Sequence, residues 1–327
     1  MLEDVLAIPD HLRDALWRVE SARLARGEGA GVMVCGVGGS AVGGDLALGA
    51  LSTRLSGPLV TVRGYELPSW ATPEWTLLFS SYSGDTEETL ACFAASEELG
   101  ARRIVASTGG ALVEAARASG DPVIGLPGLL PAPRTAVAYM LVCSLEVAAL
   151  AGIAPRLAVE IEAAADFLEE RRDDLRDRAK EIAARLEGTV PIVYGAGPTA
   201  PVARRWKSQI NENAKQPSFL SELPEADHNE ICGWSGDPSG ERLSAVLLED
   251  AGQHPRERLR FELTAEAIAA AGAGTVRLET AGETPVARLL WGVMLGDLVS
   301  LELAAERGVD PLPVEAIDRL KAALAEP

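Results

Sequence analysis

Acidic side chains surround a histidine in one segment of the chain, residues 211–234. The segment reads NENAKQPSFLSELPEADHNEICGW and holds His228, one of only 3 histidines in 327 residues. A carboxylate such as Glu212 can take up a proton and return it elsewhere, and an imidazole titrates near neutral pH. Acid–base chemistry is therefore one interpretation. The other is a histidine on a solvated acidic surface, with Glu212 on the charged face of a helix.

Two glycine- and hydroxyl-rich segments each follow a strand-like run and precede a helical one. The first, GVGGSAVGGDL, covers residues 36–46, and the second, SSYSGDTEETL, covers residues 80–90. Glycines let the backbone approach a ligand closely, and the free amides of a helix N-terminus suit an anion. In the second segment the hydroxyls of Ser81, Ser83 and Thr86 add donors for a phosphate monoester without net positive charge.

Other interpretations of these two segments stay open at this point. The first could be a dinucleotide-binding loop or a tight structural turn. The dinucleotide loop is disfavoured because the first acid after the next strand, Glu66, lies 30 residues beyond Gly36, whereas about 20 is usual. In the second segment Thr86 could simply cap a helix, with Glu87 and Glu88 favoured in its first turn by the helix dipole.

Short β-rich runs alternate with helical segments and must position these residues. In the first half the runs are VMVCG, LVTVRG, TLLFS, RIVAS and PVIGL, and the helical segments cover residues 41–51, 86–99, 111–119 and 136–151. The second half repeats the pattern less cleanly with VPIVYG, SFLSEL, SAVLLE and TVRLE. This alternation predicts an α/β fold with doubly wound parallel sheets.

Longer helical segments frame the two halves. We expect an N-terminal helix over 10–26, a charged helix or pair of helices over 158–186, and a long helix over 286–307. A last helix, 313–324, begins with a proline in its first turn. The predicted domains are 1–152, with the N-terminal helix, and 153–327, with the connecting and C-terminal helices.

Composition limits the classes of function. The net charge of −18 repels nucleic acid and anionic membrane surfaces. The longest strongly apolar stretch, 137–145, is far shorter than the roughly 20 residues that span a bilayer. The four cysteines form no CxxC pattern and are expected to be buried, reduced thiols. We expect a cytoplasmic protein whose partner is a small molecule, with no nucleic acid and no membrane.

The two loops together resemble the SIS fold of sugar-phosphate isomerases and sugar-phosphate-binding regulators. Longer motifs sharpen this resemblance: NENAK and ELPEADHNEICGW in residues 211–234, PRTAVAY at 133–139, and GVDPLPVEAIDRLK at 308–321. Taken in their order along the chain, from 133–139 to 308–321, these motifs are similar to the bifunctional phosphoglucose/phosphomannose isomerase family over nearly the whole chain. The resemblance implies two SIS domains and an aldose–ketose isomerase that interconverts glucose 6-phosphate, and also mannose 6-phosphate, with fructose 6-phosphate.

The resemblance also implies a role for particular residues. Glu212 matches the catalytic base, His228 the ring-opening histidine, Arg134 the arginine that stabilises the enediolate, and Lys321 a lysine that assists ring opening. The phosphate-binding residues match Gly39, Ser40, Ser81, Ser83 and Thr86. No cofactor and no metal are implied. The resemblance also implies a homodimer, in which His228 would reach the neighbouring subunit's site.

Two positions depart from the family pattern, and one alternative function remains. Asp85 stands where asparagine is more usual, and its charge would weaken phosphate binding if it pointed inward. Leu312 replaces an expected threonine, which affects sugar specificity. The alternative is a non-catalytic sugar-phosphate-binding SIS regulator, which would keep both loops without needing Glu212, His228 and the two cations.

Overall fold

A computed structural model describes residues 1–234 and 242–324 and contains two parallel β-sheets. The first sheet has the strand order β2-β1-β3-β4-β5. Its strands are β1 Gly31–Cys35, β2 Leu59–Val62, β3 Trp75–Ser80, β4 Arg102–Ser107 and β5 Val123–Gly125. Strand β2 is added on one side of β1, and β3, β4 and β5 are added on the other side. The strand order therefore reverses at β1, as in a doubly wound sheet, and the predicted fold class is confirmed.

The second sheet repeats this order with one strand fewer, β7-β6-β8-β9. Its strands are β6 Val190–Gly195, β7 Phe219–Glu222, β8 Leu243–Glu249 and β9 Gly274–Glu279. All of its pairings are parallel. The internal repeat seen in the sequence is therefore a repeat of topology.

Helices cover both sheets and fill the space between them. Those of the first half are α1 Leu2–Leu6, α2 Ile8–Ser21, α3 Gly39–Leu51, α4 Glu87–Leu99, α5 Gly110–Ser119 and α6 Val137–Leu150. Those that follow are α7 Ala158–Glu170, α8 Arg172–Leu186, α9 Ala200–Asn213, α10 Ile231–Trp234, α11 Pro255–Ala270, α12 Pro285–Glu306 and α13 Glu315–Leu324. The connecting segment is thus a pair of helices.

Helix ends differ from the sequence prediction at the two termini. Helix α2 stops at Ser21 instead of extending to residue 26. Helix α13 begins at Glu315 rather than Pro313, because its first hydrogen bonds run from the Ile317 and Asp318 amides to the Val314 carbonyl. In the turn before it, Asp310 accepts a hydrogen bond from the Leu312 amide. This turn places the carbonyl groups of residues 311 and 312 near the first half of the chain.

The main core unites the two halves. Helices α3 and α6 pack against each other, α12 packs against α7, α8 and α9, and one apolar cluster contains residues of all of them. Since the core is shared, the domain boundary at 152/153 stays a prediction. Residues 133–150 are long and apolar enough to cross a bilayer, but 83% of this stretch is buried inside the fold.

The cysteines follow the prediction with one exception. Cys35, Cys92 and Cys143 are buried, as expected. Burial raises the pKa of the Cys143 thiol to about 12, so that thiol stays protonated at neutral pH. Cys232 is exposed, contrary to the prediction, because it lies in the short surface helix α10.

Candidate active site

The two hydroxyl-rich loops meet at the carboxyl edge of the first sheet. Cys35 at the end of β1 pairs with Phe79 near the end of β3, so the segments that follow these strands are neighbours. The Ser40 hydroxyl accepts a hydrogen bond from the Tyr82 amide at 3.2 Å, which ties the first loop to the second. Helices α3 and α4 begin directly after the loops. This is the switch point of the sheet, where such folds bind ligands.

Internal hydrogen bonds define the shape of the second loop. The Ser81 hydroxyl accepts from the Gly84 amide at 3.0 Å and shares a hydrogen bond with the Thr86 hydroxyl at 2.9 Å. Gly84 has a φ of +79°, and a Cβ there would lie 1.8 Å from the Gly109 carbonyl oxygen. The Thr86 side chain makes no capping bond to α4, so the capping interpretation is not realised. Gly84 and the hydroxyls of Ser81 and Thr86 thus form a compact polar loop.

Asp85, in the second loop, directs one carboxylate oxygen toward helix α5. Its Oδ1 accepts a hydrogen bond from the Ala111 amide at 2.9 Å, in the first turn of α5. A carboxylate in that position is stabilised by the helix dipole. The aspartate that replaces the more usual asparagine therefore joins the second loop to α5. One oxygen of its carboxylate is occupied by the hydrogen bond from the Ala111 amide.

Arg134 links the first loop to the second half of the chain. It lies in a 3₁₀ turn, Pro133–Ala136, that leads into α6, and is only 4% exposed. Its Cα would lie 3.3 Å from a Cβ at Gly39, a tight contact, so glycine at this position eases the close approach of the first loop to Arg134. Burial lowers the pKa of Arg134, and Glu212 opposes that shift. The guanidinium stays charged at neutral pH because its ordinary pKa is above 12.

The Arg134 guanidinium has four hydrogen-bond acceptors around it. Nε donates to the Asn213 side-chain oxygen at 2.7 Å, and Nη1 lies 3.4 Å from Glu212 Oε2. Nη2 donates to the carbonyl oxygens of Pro311 and Leu312 at 2.7 and 3.0 Å. Leu312 therefore contacts Arg134 through its main-chain carbonyl, and the residue as a whole is 41% exposed.

Glu212 lies in the last turn of α9, beside two cations. Its side chain is 29% exposed, so it is both held by Arg134 and open to a ligand. Lys215 Nζ donates to the Glu212 carbonyl at 2.5 Å and to the Pro311 carbonyl at 3.2 Å. Burial, followed by the nearby Arg134, lowers the pKa of Lys215.

The sequence prediction did not assign Lys215, Asn213 or Arg205 to the site. Lys215 could have been found, because only four of the 30 cations are lysines and this one lies three residues after Glu212. Asn213 and Arg205 carried no such signal. Their importance comes from contacts with Arg134 that join distant parts of the chain.

Two predicted residues lie apart from this cluster. His228 ends the exposed 3₁₀ turn Glu225–His228, which is held by Asp227 through bonds to Arg260 and Thr264, each of 2.8 Å. Lys321 is exposed on α13. Across residues 1–234 and 242–324, neither side chain forms a hydrogen bond or an ion pair with Glu212 or Arg134. Of the four predicted catalytic residues, the structure therefore joins Arg134 and Glu212 directly and leaves His228 and Lys321 without a bond to them.

The site and the fold define a class of protein. A hydroxyl-lined loop at the switch point of a doubly wound sheet, close to a carboxylate held by a buried arginine, is suited to a phosphorylated substrate that exchanges a proton. Residues 175–324 match the bacterial phospho-glucose isomerase C-terminal SIS domain, which places this part of the chain in the SIS class.

Similarity to known proteins identifies the family. The chain is 36% identical to the bifunctional phosphoglucose/phosphomannose isomerase of Aquifex aeolicus over 89% of each chain. It is 33% identical to the protein of that name from Caldicellulosiruptor bescii over 100% of this chain and 99% of the other. The chain belongs to the bifunctional phosphoglucose/phosphomannose isomerase family.

A solved structure supports the fold at lower identity. The C-terminal domain of glucosamine-fructose-6-phosphate aminotransferase from Francisella tularensis superposes with a TM-score of 0.71 at 15% identity. The match covers 96% of this chain and 98% of that domain. The two-sheet arrangement is therefore one that experimentally solved proteins adopt.

Proposed function

We propose that this protein is an aldose–ketose isomerase that converts glucose 6-phosphate and mannose 6-phosphate to fructose 6-phosphate. The observation that carries the proposal is the Glu212 carboxylate, partly exposed and 3.4 Å from the buried Arg134 guanidinium. Membership of the isomerase family gives the substrate class. The alternative of a non-catalytic regulator leaves this carboxylate–arginine pair without a purpose.

The proposed reaction divides the work among three groups. The Ser81–Thr86 loop and the Gly39–Ser40 turn hold the phosphate, with the free amides of α3 and α4 favouring its negative charge. Glu212 takes the proton from C2 of the aldose and returns it to C1 through a cis-enediolate, while a second proton passes from the C2 hydroxyl to the C1 oxygen, so that the carbonyl moves from C1 to C2. The negative charge that develops on the oxygen atoms is stabilised by Arg134, whose planar donors are permanently charged.

A coupled assay tests the function. Purified protein is supplied separately with glucose 6-phosphate and mannose 6-phosphate, and fructose 6-phosphate is measured by a coupling enzyme. We expect product from both sugars without an added cofactor. Tight binding of both sugars with no product would instead support the regulator.

Removing two hydroxyls of the second loop should weaken substrate binding. Ser83→Ala together with Thr86→Ala removes donors from the loop, while Glu212 and Arg134 are unchanged. We expect the KM for glucose 6-phosphate to rise about tenfold or more, with a smaller fall in kcat because remote binding energy also contributes to the reaction. Steady-state kinetics measure both values. An unchanged KM would place the phosphate elsewhere.

We propose that the functional unit is a homodimer whose partner subunit completes each site. Support comes from His228 and Lys321, which are exposed in a single chain, and from α13, in which no residue is buried. One face of α13 carries Ile317, Leu320 and Leu324 at helical spacing, and Leu320 is 61% exposed. A second copy of the chain could cover this apolar face. In such a dimer, His228 or Lys321 of one subunit could approach the active site of the other.

Mixing two inactive variants tests whether His228 acts across the subunit interface. In a dimer formed from Glu212→Gln and His228→Ala subunits, one of the two sites contains both native residues if His228 comes from the partner. Random reassociation of equal amounts should then restore about a quarter of the wild-type activity. Failure to recover activity, with mixed dimers verified by mass spectrometry, would place His228 in the site of its own subunit or outside it.

We further propose a cytoplasmic location and a role in glycolysis and gluconeogenesis. The buried thiols of Cys35, Cys92 and Cys143 are typical of a reducing compartment. Hexose 6-phosphates are the proposed substrates, which agrees with that location.

A further inference from the structure

A deeply buried ion pair lies behind the proposed active site. Arg205 on α9 and Asp297 on α12 are each 2% exposed. Arg205 Nε donates to Asp297 Oδ1 at 2.9 Å and Nη2 donates to Oδ2 at 2.6 Å. Replacing such a pair with apolar residues of similar volume is often neutral or stabilising, because both charges lose their hydration. Stability of the fold is therefore a weak reason for its presence.

One contact of the pair reaches Arg134 directly. Arg205 Nη2 also donates to the main-chain carbonyl of Arg134 at 3.0 Å. The two-point contact with Asp297 holds the Arg205 guanidinium plane, since the carboxylate matches its fork. The backbone at Arg134 is thereby fixed relative to α12.

A second chain of hydrogen bonds reaches the Arg134 side chain from the same turn of α12. The Ser300 hydroxyl donates to the Asp297 carbonyl at 2.6 Å and accepts from the Asn213 side-chain nitrogen at 2.9 Å. The Asn213 oxygen accepts from Arg134 Nε at 2.7 Å. Asn213 directly follows Glu212, so this series of hydrogen bonds fixes the position of the base Glu212 together with that of the Arg134 guanidinium.

We infer that Arg205, Asp297 and Ser300 are positioning residues that hold the Arg134 guanidinium against Glu212. The inference rests on the proposed isomerase function. Within residues 1–234 and 242–324, none of the three hydrogen-bonds to the Glu212 side chain or to the phosphate loops; they act through Arg134 and Asn213. Because small errors in the placement of a charged group are costly, their removal should lower kcat more than substrate affinity.

An apolar replacement of the pair separates positioning from stability. Arg205→Met with Asp297→Leu should retain the melting temperature of the wild type or exceed it. We expect kcat for glucose 6-phosphate to fall about 10- to 100-fold, while KM changes by less than about threefold. The control is Arg103→Met with Asp121→Leu, which removes another ion pair, of 2.6 Å, remote from Arg134. Its kcat should equal that of the wild type.

A milder variant decides the question if the double replacement does not fold. Ser300→Ala removes one hydroxyl and should lower kcat about three- to tenfold, with little change in KM, and Ser300→Thr should recover most of the loss. Wild-type kcat in Ser300→Ala and in any folded double variant would overturn the inference. So would a loss of activity that matches only the loss of folded protein. An inactive wild type would instead overturn the proposed function, which keeps the two failures distinct.

Discussion

Replacing Glu212 with glutamine should reduce kcat about 10²- to 10⁴-fold, the range that positioned proton transfer contributes to catalysis. Glutamine keeps the shape of the side chain and can still accept a hydrogen bond from Arg134. It cannot take a proton from carbon. Steady-state conversion of glucose 6-phosphate to fructose 6-phosphate measures the effect, and mannose 6-phosphate should show the same loss because one base serves both sugars.

Two controls make the Glu212 result specific. Calorimetric binding of fructose 6-phosphate to Glu212→Gln should remain close to that of the wild type, since the phosphate loops are intact. Glu222→Gln changes an exposed carboxylate on β7 that pairs with Arg204 at 3.3 Å, and it should keep wild-type kcat. Near-normal turnover by Glu212→Gln would remove Glu212 from the role of base.

Replacing Arg134 with lysine should reduce kcat about 10²- to 10³-fold, as does the loss of a group that stabilises developing negative charge. Lysine keeps the positive charge but cannot reproduce contacts in four directions, to Asn213, Glu212 and the carbonyls of residues 311 and 312. The C-terminal turn should also lose part of its attachment. Kinetic assays combined with the melting temperature measure both effects.

The matched control for this variant is Arg156→Lys. Arg156 also binds a buried carboxylate, donating to Glu146 at 2.9 Å, but is remote from the two loops. We expect its kcat to be unchanged. If Arg134→Lys keeps wild-type kcat while it remains folded, the charge of the enediolate must be stabilised by another group, and Lys215 would be the first to examine.

Local sequence patterns predicted the parts of the fold that depend on neighbouring residues. The apolar runs around β1 and β3 and the helical periodicity after them place the two loops at one sheet edge, as observed. The Asp85 departure could not be judged in this way. Its carboxylate finds the Ala111 amide, a partner 26 residues away whose position depends on how α5 packs.

Contacts between distant segments limited what could be predicted of the site. Arg134 and Glu212 were both predicted from family motifs, but the sequence could not indicate that the carbonyls of residues 311 and 312 hold the arginine. Backbone carbonyl groups are chemically alike at every position, so the amino-acid type does not indicate which of them accepts a hydrogen bond from a distant side chain. His228 and Glu212 lie only 16 residues apart in the sequence, yet no hydrogen bond joins their side chains in the described residues, and their spacing did not indicate this.

The most direct test of the isomerase mechanism follows both sugars by NMR in D₂O. Wild-type protein should form fructose 6-phosphate from glucose 6-phosphate and from mannose 6-phosphate, with solvent deuterium entering C2 of the recovered aldose over repeated turnovers. This exchange follows from a proton that leaves carbon for the Glu212 carboxylate. Binding of both sugars without fructose 6-phosphate, or conversion that never introduces deuterium, would contradict the account.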